Sequence, residues 1–307
     1  MGMEGKINRS SFGQRGLVIA LSITSIMMFA EVIGGIISNS LALLSDAGHM
    51  LTDIFALALS LFAIKYGEKP ATLKKTYGFY RLEKLASLIN GAILILISLY
   101  IFYKAYQRVL QPPAINAHVM MGIAFLGLVV NIIAAIFLRK SSKENLNVRG
   151  AYLHIVGDAL SSIGVLTGGF IILFTGWYII DSILSVLIGI VIIIGAYSLM
   201  KESVDILLEA TPKGIDLAEV IREAKKIKGV KDIHHIHLWT ITSGIYSLSA
   251  HILIEDLLTS KSAQILDSIN QLLRERFHID HTTFQFECEN CEDSLVCRLE
   301  RNHLYES

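Results

Sequence analysis

Apolar residues fill six long stretches in the first two-thirds of the chain, at about residues 16–37, 41–66, 82–106, 118–138, 151–174 and 177–200. Each supplies the roughly 20 mostly apolar residues that a helix needs to cross a bilayer. The breaks between them have recognisable chemistry: Ser38-Asn39-Ser40 makes a short turn, Gln111-Pro112-Pro113 ends the third stretch, and Thr175-Gly176-Trp177 separates the last two. From about Glu209 the period changes. Residues 215–227 read as an amphipathic helix, 231–241 alternate as a strand, and 245–255 alternate again after the Ser243-Gly244 turn; 261–277 return to helical period and 282–288 to alternation. The pattern predicts a polytopic α-helical membrane domain of six transmembrane helices over residues 1–208. A small α+β domain in the order αββαβ follows over 209–307, with helices on one face of a sheet.

Composition agrees with this division. Hydrophobic residues make up 53 % of the 307, and charged residues are thin before about residue 205 and dense after it. Lysines plus arginines equal aspartates plus glutamates at 27 each, so no charge excess points to nucleic acid as a partner. The first 15 residues are polar, and the first apolar run is too long for the core of a secretory signal.

Basic residues orient the spans, because cytoplasmic loops carry the excess of lysine and arginine. The N-terminal tail has Lys6, Arg9 and Arg15, the connection between spans two and three has Lys65, Lys69, Lys74, Lys75, Arg81 and Lys84, and that between four and five has Arg139, Lys140, Lys143 and Arg149. The opposite side has Lys104 and Arg108. Both termini and the C-terminal domain are therefore expected in the cytoplasm, with the spans in a plasma or inner membrane. Cys288, Cys291 and Cys297 then lie in a reducing compartment as thiols or metal ligands, and their odd number does not read as a disulfide framework.

Ionisable residues inside such spans are costly and mark pathways or relays. "LLSDAGHMLTD" places His49 and Asp53 four residues apart, on one face of a helix; "HIVGDALSS" in the fifth stretch repeats the arrangement with His154 and Asp158. Two such helices facing one another offer two imidazoles and two carboxylates at one depth, a donor set that suits zinc, cadmium or cobalt. Asp46 lies near the Ser-Asn-Ser turn, where capping or a vestibule accounts for it. Glu31, Asn39, Asn90, Asn131 and Asp181 are read as packing groups or as hydration of a passage.

The fragments "SNSLALLSDAGHMLTD", "YGFYRLEKLASLING", "HIVGDALSS", "LLEATP" and "HTTFQFE" together resemble the cation diffusion facilitator family, in its zinc-type branch. The resemblance implies six spans, a cytoplasmic ferredoxin-like domain, a homodimer, and export of a divalent metal against inward proton flow. Its transport-site positions match His49, Asp53, His154 and Asp158, and manganese- and iron-type relatives tend to have Asp in place of His49, which favours zinc. It also implies a cytoplasmic dimer-interface metal site with His234 and His251 as ligands. Where relatives carry a His-x-Asp pair on the last strand, this chain has Gln285 and Glu287, with His281 nearby to compensate. Cys288 and Cys291, with Cys297 and His303 beyond, either complete such a site near Glu287 or are unpaired thiols of the tail. Arg81 and Glu209 match a charge pair that in this family ties the membrane part to the soluble part; otherwise they are snorkelling surface charges. Neither long cytoplasmic loop has the histidines of a storage site.

Neutral imidazole and ionised carboxylate bind metal while their protonated forms do not, so one ligand set couples metal flow to proton flow. Two other readings compete with a zinc/proton antiporter. A membrane metal sensor without transport has no need of ligands deep in two spans, and an intramembrane zinc hydrolase needs a general base beside the metal, as in His-Glu-x-x-His, which the sequence lacks. Alternation along "DIHHIHLW" puts His235 and His237 on one face of a strand and His234 on the other.

Overall fold

The structure, a computed structural model, describes residues 4–67, 72–139, 146–242 and 244–289. Six long helices come first: α1 (Glu4–Ser38), α2 (Leu41–Gly67), α3 (Arg81–Leu110), α4 (Ala117–Leu138), α5 (Leu146–Thr175) and α6 (Ile179–Leu207). Then follow α7 (Leu217–Ala224), β1 (Asp232–Thr242), β2 (Ile245–Leu253), α8 (Thr259–Phe277) and β3 (His281–Glu287), which is the expected αββαβ order. The chain divides into two compact units, one of Met1–Lys65 with Ala86–Lys201 and the other of Tyr66–Leu85 with Glu202–Ser307. The second unit thus takes in the connection from the end of α2 through the first residues of α3 as well as the C-terminal region.

Among the described residues, α1, α3, α4, α5 and α6 each hold a stretch long and apolar enough to cross a membrane. The sixth expected span, α2, is a 27-residue helix, part of whose side chains lie outside the described residues. Backbone amides satisfied within each helix are what a hydrocarbon environment requires. The outward faces are apolar: Phe29, Ile33 and Ile36 of α1 are all more than half exposed. Close helix approach comes from small residues. A Cβ at Gly34 would sit 2.5 Å from Ile123 Cγ1, so glycine there lets α1 lie against α4. Inside, Leu43, Met120 and Val165 are almost fully buried and join α2, α4 and α5 in one apolar cluster.

In the second unit, Asp216 caps α7 by accepting from the Ala218 amide at 2.9 Å. The sheet has the order β1-β2-β3, with β1 and β2 antiparallel and β2 and β3 parallel across the α8 connection. Ile233, Ile236, Leu238, Leu248, Ala250 and Ile252 point from the sheet into a core completed by α7 and α8.

One irregularity in β1 corrects the expected faces. His234 pairs with His251 and His237 with Ser249, so two residues of β1 oppose one of β2, and His235 takes φ +48°. This bulge shifts the alternation by one residue. His234 and His235 therefore both lie on the face of His251, opposite the core.

Candidate metal-binding sites

Two clusters of metal-ligating groups form among the described residues, one in each unit. In the first unit, His49 and Asp53 come from α2 and Asp158 from α5. The i,i+4 spacing on α2 aims both of its side chains at one stripe of α5. His49 Nε2 stands 3.5 Å from Asp158 Oδ1, and one ligand atom from each of the three residues lies within 4.8 Å of the others. Donor atoms about 2.0–2.2 Å from a tetrahedral ion stand about 3.3–3.6 Å apart, so the His49–Asp158 edge is already that of a coordination polyhedron. All three are partly buried, and His49 and Asp158 line a cavity of about 570 Å³. His154 lies on α5, one helical turn from Asp158, and its side chain is outside the described residues.

Asp46 lines the same cavity as His49 and Asp158 and is not a residue of the turn. It is 6 % exposed and accepts from Ser161 Oγ at 2.8 Å, a bond from α5 to α2. Helix capping at the start of α2 is shared by Ser40, whose Oγ accepts from the Leu43 amide at 3.2 Å, and Asp181, the first acidic residue of α6. Its carboxylate accepts from Ser40 Oγ at 2.6 Å, Leu41 N at 2.7 Å and Ala42 N at 3.2 Å.

In the second unit, Glu287 at the end of β3 reaches both neighbouring histidines. Its Oε2 is 3.0 Å from His234 Nε2 and its Oε1 2.8 Å from His251 Nδ1. His234 is buried and the other two are partly so. Two imidazoles and a carboxylate converging in this way form a borderline-soft donor set that fits a divalent transition metal. Gln285, a poor ligand, donates from Nε2 to Glu287 Oε1 at 2.8 Å and so orients the carboxylate. His235 stacks on His251 with ring centroids 4.7 Å apart. Strict alternation missed that neighbour, although the spacing Ile233…Ile236…Leu238 was a visible break in period two.

The remaining candidates are more scattered. His281 begins β3 opposite Ser247, six residues from Glu287, which along a strand is about 20 Å. Cys288 follows Glu287 and is exposed, while Cys291, Cys297 and His303 lie outside the described residues. Arg81 and Glu209 do meet: Nη2 lies 2.7 Å from Oε1, joining the first residue of α3 to the one two places past α6. Glu83, two residues on, adds a bond, its Oε2 accepting from Thr242 Oγ1 at 3.2 Å.

Comparison with known proteins covers nearly all of this chain. Residues 17–208 match the cation efflux transmembrane domain and residues 212–289 the cation efflux protein cytoplasmic domain. The chain is 43 % identical over 281 residues to the metal cation efflux system protein CzcD of Cupriavidus metallidurans, covering 92 % of this chain and 89 % of the relative. It is 41 % identical over 299 residues to the cadmium, cobalt and zinc/H(+)-K(+) antiporter of Bacillus subtilis, with 96 % of each chain covered. To the zinc transporter ZitB of Escherichia coli it is 38 % identical over 280 residues, covering 90 % of this chain and 88 % of the relative.

Proposed function

The chain belongs to the cation diffusion facilitator family, and from that premise we propose that it expels zinc from the cytoplasm in exchange for protons, with His49, Asp53, His154 and Asp158 holding the ion. It is a multi-pass membrane transporter for divalent metal cations and not an enzyme. The observation that carries the site assignment is the convergence of His49 and Asp53 with Asp158 across two helices, within 4.8 Å. His154, one turn from Asp158 on α5, supplies the fourth donor.

The mechanism follows from what these side chains do. Imidazole and carboxylate groups hold the metal only when they have given up their protons. On the cytoplasmic side the arriving ion displaces protons. On the far side, protons taken up by His49 and His154 weaken the site and release the ion. An imidazole with an ordinary pKa of about 6.5 makes this exchange near neutral pH. Zinc is the preferred cargo because two imidazoles in the set favour a borderline ion over a hard one. The basic residues in the first turns of α1 and in and around the α2–α3 and α4–α5 connections support cytoplasmic termini.

The protein acts as a homodimer, in keeping with the cytoplasmic domain it shares with its family. In that domain His234, His251 and Glu287 would hold a resident zinc ion. Bound there, the ion would cross-link β1, β2 and β3, held by the three side chains in their deprotonated forms.

The test is transport by the purified chain in liposomes with zinc and a pH-sensitive dye. Zinc uptake coupled to opposite proton movement is expected for the wild type, with loss of both in His49→Ala and His154→Ala. Zinc-dependent proton flux that survives both substitutions would overturn the site assignment, and absence of zinc movement under either gradient would overturn transport.

A further inference from the structure

Two carboxylates lie beyond the ligand cluster and do not belong to it. One is Asp46, bonded to Ser161 Oγ. The other is Glu31 of α1, 3 % exposed, whose Oε2 has no hydrogen-bond partner among the described residues. Its Oε1 and the Ser162 hydroxyl oxygen both face the bare α-carbon of Gly127 on α4, lying 3.5 and 3.4 Å from where a Cβ would stand there. Glu31 is within electrostatic reach of both Asp46 and Asp158. The carboxylate is therefore directed inward, between α4 and α5, and not at the bilayer.

Helix register places this group on one side of the metal site. Asp46 lies one turn from His49 toward the start of α2, and Ser161 and Ser162 lie about one turn from Asp158 toward the end of α5. Glu31 lies about two turns before the end of α1. All of these steps lead to the end of the helices where Ser40 meets Asp181. A carboxylate out of water is costly unless it is paired, and a purely structural glutamate would engage both of its oxygens. Intramembrane acids of this sort mark pathways.

We propose that Glu31 and Asp46, with the hydroxyls of Ser161 and Ser162, form a second, oxygen-only station that receives the divalent cation as it leaves the imidazole–carboxylate site. This deepens the transport reading above and rests on it. Oxygen donors without imidazole or thiolate hold a borderline ion less tightly and leave it some of its water. A step from a tight mixed site to a weaker oxygen site lets an ion move on, since passage requires binding that is favourable but not final.

Near-isosteric substitutions in the full-length chain test this. Glu31→Gln keeps shape and hydrogen-bonding capacity but removes the charge, and Asp46→Asn retains the oxygen that accepts from Ser161. Each is expected to lower the initial zinc flux into liposomes by about tenfold while zinc affinity at equilibrium, set by the four-ligand site, stays at the wild-type value. Glu31→Asp, which keeps the charge on a shorter arm, is expected to transport faster than Glu31→Gln. A packing role predicts the reverse order. Wild-type flux in Glu31→Gln, or Glu31→Asp slower than Glu31→Gln, would overturn the station. Unchanged zinc flux with an altered number of protons per zinc would also overturn it, assigning the carboxylates to protons instead. A wild-type chain that carries no zinc would overturn the transport reading and not this assignment alone.

Discussion

The guanidinium of Arg108 stands 3.4 Å from the Asp181 carboxylate, and both side chains reach the residues that begin α2. Arg108 donates to the Asn39 carbonyl at 2.6 Å and to Asn39 Oδ1 at 2.8 Å, while Asp181 takes the first amides of α2. Those amides have no partner within their own helix, and an anion there also meets the positive end of the helix dipole. The start of α2, the end of α3 and the start of α6 are thereby joined, eight residues before His49.

Replacing Asp181 should loosen the helix that carries half of the metal ligands. Asp181→Ala is expected to destabilise the purified chain by about 2–4 kcal/mol, below the full range for a buried pair because Arg108 keeps part of its hydration. Zinc affinity should fall with it. Arg108→Met should cost less, since Asp181 keeps its hydroxyl and amide donors. Thermal melting and zinc titration of the two variants give the order, and an equal or opposite ranking would contradict the arrangement.

Metal choice should follow the imidazole of His49. His49→Asp converts the set to one imidazole and three carboxylates, a harder site, and should raise manganese flux relative to zinc. Parallel flux measurements with the two metals decide it. A variant with the wild-type preference would mean that selectivity lies elsewhere.

In the cytoplasmic domain, Glu287→Ala removes the group that both His234 and His251 address. Metal analysis after equilibrium dialysis should show less zinc per chain for this variant. His281→Ala, at the other end of β3, should bind as much as the wild type.

Acid should weaken the second unit in a defined window. The ammonium of Lys225 bonded to Asp232 holds that carboxyl below its ordinary value of 3.8. Lys226, and then Arg276, likewise lower Glu223 from 4.5. A carboxyl depressed by folding contributes stability that is fully present above its unfolded value and is lost as pH falls through the folded one. Melting temperature should therefore drop as pH falls below about 4, and less steeply in Asp232→Asn. Identical slopes for the two proteins would refute the assignment.

The Arg81–Glu209 pair is exposed, and such pairs contribute at most about 1 kcal/mol to stability. Its effect should appear in transport. Arg81→Glu should reduce zinc flux, and adding Glu209→Arg should restore part of it with little change in melting. Flux equal to wild type in the single variant would make the pair incidental.

Much of this was legible along the chain because it depends on local periodicity. The long apolar runs and the order αββαβ could be read directly, and the i,i+4 spacing already placed His49 and Asp53 on one face of α2. What was not legible depends on partners distant in sequence. Asp46 is near the turn in sequence, yet Ser161, 115 residues away, engages it. Asp181 reads as a stray polar group until the start of α2 is placed against it. The faces of His234 and His235 were misread because alternation assumes an unbroken ladder.

The bulge in β1 has an arithmetic consequence. With two residues opposite one, the strand absorbs an extra residue while the side chains on either flank keep their faces. Deleting His235 would restore strict pairing and leave His234 opposite His251 and His237 opposite Ser249, with one ring lost from the stack on His251. The same extra residue in an unbroken ladder would carry every ligand beyond it to the core face, so the bulge is what lets this strand hold three histidines without losing its register.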